Sequence, residues 1–229
     1  MWNRSCRAVG AGLASITMSD ISLDYDALAH TPIAEKPFPH VVVPHFISND
    51  DLQSIVADLP DMQSGGSFPP EALELTPRVN SMIEELQGPL LKDLIAEKFG
   101  LELADAPTML TVRGRTREKD GRIHRDSEAK LVTVLLYLNP RGEDWSSRDG
   151  CLRLLNGPDD VEDYDVEVTP AEGTLLVFPN GPTTWHGHRQ FVGTRYAIQL
   201  NYMATGRKAR YELGRHRLSA LVKRLPFVG

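Results

Sequence analysis

The chain has 229 residues, 41% of them hydrophobic and 24% charged, with a formal net charge of −6. These are the proportions of an ordinary globular protein, at a length that one large domain can fill. The acidic excess argues against nucleic-acid binding as a main theme, and no stretch reaches the roughly 18 to 20 apolar residues of a membrane-spanning helix.

Two cysteines, Cys6 and Cys151, are too few for a disulfide framework, so a reducing, cytoplasmic setting is the expectation. Residues 1–20 place two arginines before a weakly apolar, small-residue stretch. They read as a disordered extension, or as residues read from an upstream start codon with Met18 as the natural beginning, in preference to a signal peptide. Residues 21–229 read as a single domain. Phe38 to Phe46 is a short β run bounded by prolines, which suits an edge strand. Ser48-Asn-Asp-Asp caps a helix running to about Leu59, with Leu52, Ile55, Val56 and Leu59 on one face. Gln63 to Pro70, rich in Gly, Ser and Pro, is expected to be a mobile loop closing over a site. Helical periodicity returns over 78–99 and is divided at Gly88-Pro89.

From Met109 the pattern is of short strands and turns: Met109–Val112, Leu131–Leu138, Cys151–Leu155, Asp165–Val168, Thr174–Phe178 and Tyr196–Tyr202. Helices first and strands later describe a mainly β protein, a jelly-roll (double-stranded β-helix) core over about 105–204 supported by N-terminal helices. Arg207 to Leu225 is basic with recurring leucines. A C-terminal helix is expected there, docked on the barrel or used in a homodimer.

The chemistry is concentrated between His124 and Asn139. His124-Arg-Asp126 leads into an apolar, β-branched run, and in an extended chain residues two apart face the same way. His124 and Asp126 can therefore chelate one cation while Arg125 faces away. Two histidines and a carboxylate on one face of an octahedron form the site of non-haem Fe(II) oxygenases, so a second histidine is required. Trp185-His186-Gly-His188 offers two candidates. Arg195 follows nine residues after His186, and its planar fork suits a carboxylate. Iron together with a carboxylate anchor points to 2-oxoglutarate as co-substrate.

Four pieces in order, His124-Arg-Asp126, Leu131 to Asn139, Gly150 to Leu155, and His186 with Thr194-Arg-Tyr-Ala-Ile198, resemble the Fe(II)/2-oxoglutarate-dependent dioxygenase superfamily. The likeness is greatest to its prolyl 4-hydroxylase-like branch, including the hypoxia-factor prolyl hydroxylases. The resemblance implies His124, Asp126 and His186 as iron ligands, because the interval to Arg195 matches the family for His186; His188 is left a substrate-facing role. It implies Arg195 on the distal carboxylate of 2-oxoglutarate, helped by Tyr137 and Thr133. It also implies hydroxylation of a C–H bond with Fe(II), 2-oxoglutarate and O2, yielding succinate and CO2.

The sequence departs from the family where the hypoxia-factor enzymes have a tyrosine before the first metal histidine and a tryptophan after the anchor. Here those places hold Arg113-Gly-Arg115 and Asn201. Arg113, Arg115, His188 and Asn201 are accordingly the expected substrate-side residues. A peptide or protein prolyl substrate competes with a free amino acid or small anionic metabolite. The basic run Arg113, Arg115, Arg117, Lys119 and Arg122 favours an anion, held between it and the Gln63–Pro70 loop. Outside catalysis, the alternative is a cupin-like metal- or ligand-binding module, and the pairing of Arg195 with Tyr137 argues against it.

Overall fold

The computed structural model describes residues 21–62, 64–140, 142, 145–206 and 209–215. The expected N-terminal extension lies outside these residues. So does most of the expected C-terminal helix, of which 209–215 are described and are helical.

The first half is helical: α1 (Tyr25–His30), α2 (Asn49–Asp58), α3 (Pro77–Leu86) and α4 (Pro89–Phe99). Ser48 Oγ accepts from the Asp51 amide at 3.1 Å and so opens α2. Thr76 does the same for α3, and Pro89 occupies the first turn of α4, where its missing N–H costs nothing. Gly100, at φ 63°, closes α4 in the left-handed conformation. The six-residue α1, capped by Asp24, was not expected, since it is too short to show a periodic apolar face.

The strands are β1 (Val41–Val43), β2 (Thr108–Thr116), β3 (Lys130–Tyr137), β4 (Leu152–Leu155), β5 (Tyr164–Val168), β6 (Leu175–Pro179), β7 (His186–Gly187) and β8 (Gly193–Met203). They form a five-stranded sheet in the order β1-β6-β3-β8-β2 and a three-stranded sheet in the order β5-β4-β7, with all pairings antiparallel. This is a jelly-roll core with flanking helices, and β1 is the edge strand that its prolines suggested.

β3 explains the site's position. Val132, Val134 and Leu136 face the helices, packing with Leu28, Ile55, Val79, Leu91 and Ile95 in one core. Thr133, Leu135 and Tyr137 face the second sheet, where Tyr137 packs with Leu154, Leu176, Phe178 and Ala197. Both faces are covered, so the strand reads as an unbroken apolar run. The loop around 64–70 is not free: Phe68 and Val112 exchange backbone hydrogen bonds of 2.9 and 2.8 Å, which ties it to β2.

Candidate active site

His124 and Asp126 do not lie within a regular strand, as their spacing suggested. His124 instead forms an isolated bridge with His186, each amide bonding the other's carbonyl at 3.0 Å. That bridge sets the two imidazoles side by side, with ring centroids 4.3 Å apart. Donor atoms of His124, Asp126 and His186 all lie within 4.8 Å of one another. His124 Nδ1 donates to Arg122 O (2.8 Å) and His186 Nδ1 to Thr184 O (3.0 Å), which leaves each Nε2 as a lone-pair donor.

The triad opens onto a cavity of about 100 Å³. Its wall is built from the inner faces of three adjacent strands: Thr133, Leu135 and Tyr137 on β3, Arg195, Ala197 and Gln199 on β8, and Arg113 on β2. Arg195 Nε donates to Gly150 O at 2.9 Å, and its guanidinium carbon lies 5.2 Å from the Tyr137 ring centroid. Three buried polar atoms on this wall have no hydrogen-bond partner: Tyr137 Oη, one Arg195 terminal nitrogen and Arg113 Nε. Unpaired buried donors are costly, and these converge where a carboxylate would satisfy them.

Residues 113–203 match the sequence model of the 2OG-Fe(II) oxygenase superfamily. That segment, less than half of the chain, is similar to a 2OG-Fe(II) oxygenase domain. Among solved structures the chain is similar to a Pseudomonas putida prolyl-4-hydroxylase, with 20% identity over 82% of this chain and 98% of that one, at a TM-score of 0.52. A prolyl 4-hydroxylase from Phytophthora capsici aligns over 91% of this chain and 80% of that one, with 12% identity and a TM-score of 0.55. At such identities the likeness is one of fold. No curated protein matches the chain at a significant level.

The residues of this site suit the groups that a 2OG-Fe(II) oxygenase uses. Two imidazoles and a carboxylate are a borderline-to-hard donor set appropriate to Fe(II). Burial above all, then the neighbouring His124, lowers the His186 pKa to about 4, so the ring is neutral at pH 7. Burial pushes the Asp126 carboxyl up, but Lys130, His186 and the Thr133 hydroxyl outweigh it and hold it below the usual carboxylate range. Burial first, then Arg195, lowers the His188 pKa to about 4 as well.

Several expected site residues are placed differently from their assigned roles. Thr133, expected to help hold the distal carboxylate, gives its hydroxyl to Asp126 Oδ2 at 2.6 Å and accepts from Asn180 Nδ2 at 3.0 Å. Asn201 is buried and does not line the cavity; its Oδ1 lies 3.2 Å from Thr133 Oγ1, and its Nδ2 donates to Met109 O. Arg115 is exposed. The register steps from Arg113↔Ala197 to Arg115↔Thr194, so β8 carries one extra residue opposite Gly114; Arg113 lines the cavity and Arg115 does not. The rest of the basic run is surface, with Arg117 paired to Asp120 at 3.2 Å.

His188 does line the cavity. Its Nδ1 donates to Arg189 O at 2.7 Å, and its ring fills the space above Gly121.

Lys130 was given no role, yet it lies 2.6 Å from Asp126 Oδ1 and lines the same cavity. Its spacing of four from Asp126 is a helical signal that means little in a strand. Only the turn at 127–129 brings the two together.

Proposed function

We propose that the protein hydroxylates a C–H bond of a prime substrate, with 2-oxoglutarate and O2 as co-substrates and succinate and CO2 as co-products. His124, Asp126 and His186 would hold Fe(II), and Arg195 with Tyr137 would take the distal carboxylate of 2-oxoglutarate. Bound there, Fe(II) would supply the O2 activation and oxidative decarboxylation. The chain's own residues do the positioning. Thr133 and Lys130 fix the Asp126 carboxylate, the two backbone carbonyls fix the imidazoles, and the buried Arg195 and Tyr137 orient the 2-oxo acid. The observation that carries this reading is the set of unpartnered buried donors on the wall beside the triad. A cupin-like binding module has no use for them.

For the prime substrate, the fold shared with prolyl 4-hydroxylases supports a peptidyl proline, whereas the cationic wall supports a small anionic metabolite. A screen of Fe(II)-reconstituted protein, reading succinate release above the substrate-free background, separates peptide hits from small-molecule hits. In that assay His124→Ala, Asp126→Ala and His186→Ala should abolish turnover and lower Fe(II) affinity. Arg195→Ala should raise the 2-oxoglutarate requirement by the equivalent of about 3 to 5 kcal/mol, and Tyr137→Phe by roughly 0.5 to 3 kcal/mol. Unchanged 2-oxoglutarate dependence in Arg195→Ala would refute the anchor.

A further inference from the structure

We infer that Arg113 is a second cationic anchor for the distal carboxylate of 2-oxoglutarate, so that the co-substrate is held between two guanidiniums, Arg113 and Arg195, and the Tyr137 hydroxyl. This rests on the co-substrate reading above and deepens it. It also moves Arg113 away from the role of meeting a prime substrate beside the iron.

The strand register decides which end of the cavity Arg113 serves. Ala197 pairs with Arg113 on one side and with Tyr137 on the other, so the three form one row across β2, β8 and β3. Arg195 lies two residues from Ala197 on the same face of β8. The metal end is marked by Thr133, whose hydroxyl bonds Asp126 and whose cross-strand partner is Asn201. Thr133 and Tyr137 are four residues apart, about 13 Å along a strand. Arg113 therefore belongs to the far row, where a 2-oxo acid's distal carboxylate lies, and not to the row beside the metal ligands.

Size and charge agree with this placement. Ala197 contributes only a methyl group between the guanidinium of Arg113 and the phenol of Tyr137, which leaves room there for a carboxylate. Burial, and after it the nearby charge of Arg195, lowers the Arg113 pKa. Two cations facing each other without an anion repel, and a shared carboxylate removes that repulsion. Among the described residues Arg113 forms no salt bridge, and its Nε is buried without a partner. The lining side chains include three cations, Arg113, Lys130 and Arg195, against one carboxylate, Asp126. Lys130 is already committed to Asp126 at 2.6 Å, so two guanidiniums remain for an incoming dianion.

The test compares two ligands that differ only at the far end. Mn(II)-loaded full-length protein is titrated by calorimetry with 2-oxoglutarate and with 2-oxopentanoate, which has the same chain length but no distal carboxylate. Arg113→Gln should weaken 2-oxoglutarate roughly 10- to 100-fold, as expected for a lost charged hydrogen bond, and leave 2-oxopentanoate within about 2-fold. Arg113→Lys should restore part of the preference. The ratio of the two affinities is insensitive to a partly unfolded population, which lowers both equally. If Arg113→Gln weakens both ligands alike, or weakens neither, the inference is overturned; in the second case Arg113 is free for an anionic prime substrate. If wild-type protein shows no preference for 2-oxoglutarate, the co-substrate reading itself fails.

Discussion

Asp126 is the residue on which most of the site's interactions converge. Thr133 donates to one carboxylate oxygen and Lys130 to the other, both at 2.6 Å, so the group is oriented before a metal arrives. Thr133→Val keeps the volume and removes the hydroxyl. It should lower Fe(II) affinity by about 10- to 100-fold, the usual cost of an outer-sphere partner, with little change in 2-oxoglutarate preference. Metal titration checks the first expectation, and a selective loss of 2-oxoglutarate affinity would return Thr133 to the carboxylate anchor. The histidines add a pH dependence with a definite sign. In the unfolded chain His186 and His188 protonate near pH 6.5; in the folded chain, burial first and then nearby cationic groups delay this to about pH 4. Between these values the unfolded state binds more protons, so stability is full above about pH 6.5 and is lost as the pH falls toward 4. Each group sets a slope of at most about 1.4 kcal/mol per pH unit in that window. Urea melts of metal-free protein at pH 7 and 5 should show a smaller acid loss for His188→Gln than for wild type; equal losses would mean that His188 is not neutral and buried.

At the level of elements, short segments deliver the chemistry and long ones hold them. Arg125, turned away from the metal face, sets its guanidinium 4.7 Å from the Trp185 ring centroid and donates to Pro182 O at 2.9 Å. It thereby braces the turn that brings His186 to His124. Opposite, Gly121 adopts φ 85°, and a Cβ there would come within 2.2 Å of His188 Cε1. Gly121→Ala should therefore destabilise the protein by about 1 to 3 kcal/mol through backbone strain, and it should displace His188 from the cavity. Chemical denaturation with NMR of the His188 ring reads both, and an unmoved ring would show that the loop yields instead. These elements also show what the sequence could and could not convey. The helix capped at Ser48, the helical periodicity over 78–99, and the strands with β-branched runs such as Leu131–Leu138 were legible because propensity, pattern and burial agree there. The two-residue β7, the His124–His186 bridge and the β8 bulge were not, since each depends on a cross-strand partner far along the chain. Both Arg113 and Arg115 were expected beside the substrate; Arg113 lines the cavity, whereas Arg115 is exposed and does not.

Across the whole molecule, the jelly roll keeps its stability and its chemistry on opposite faces of one sheet. The outer face joins the helices in the larger core, through Val132, Val134 and Leu136 on β3 and Leu91 and Ile95 on α4. The inner face carries Thr133, Tyr137, Ala197 and Arg195, where buried polar groups remain unsatisfied and so cost stability. Such a division lets the helical layer offset the cost of a preorganised polar wall. Its consequence can be measured with Leu91→Ala, which removes a fully buried side chain from α4 without touching the cavity. The loss should be about 2 to 5 kcal/mol, the range for deleting a buried leucine side chain and leaving a cavity. Ligands that bind only the folded state stabilise it by mass action, and effects at separated positions add. The stabilisation that Mn(II) and 2-oxoglutarate confer on Leu91→Ala should therefore equal that on wild type within about 0.5 kcal/mol. A markedly smaller ligand effect in the variant would mean that the helical layer sets the geometry of the site as well as its stability.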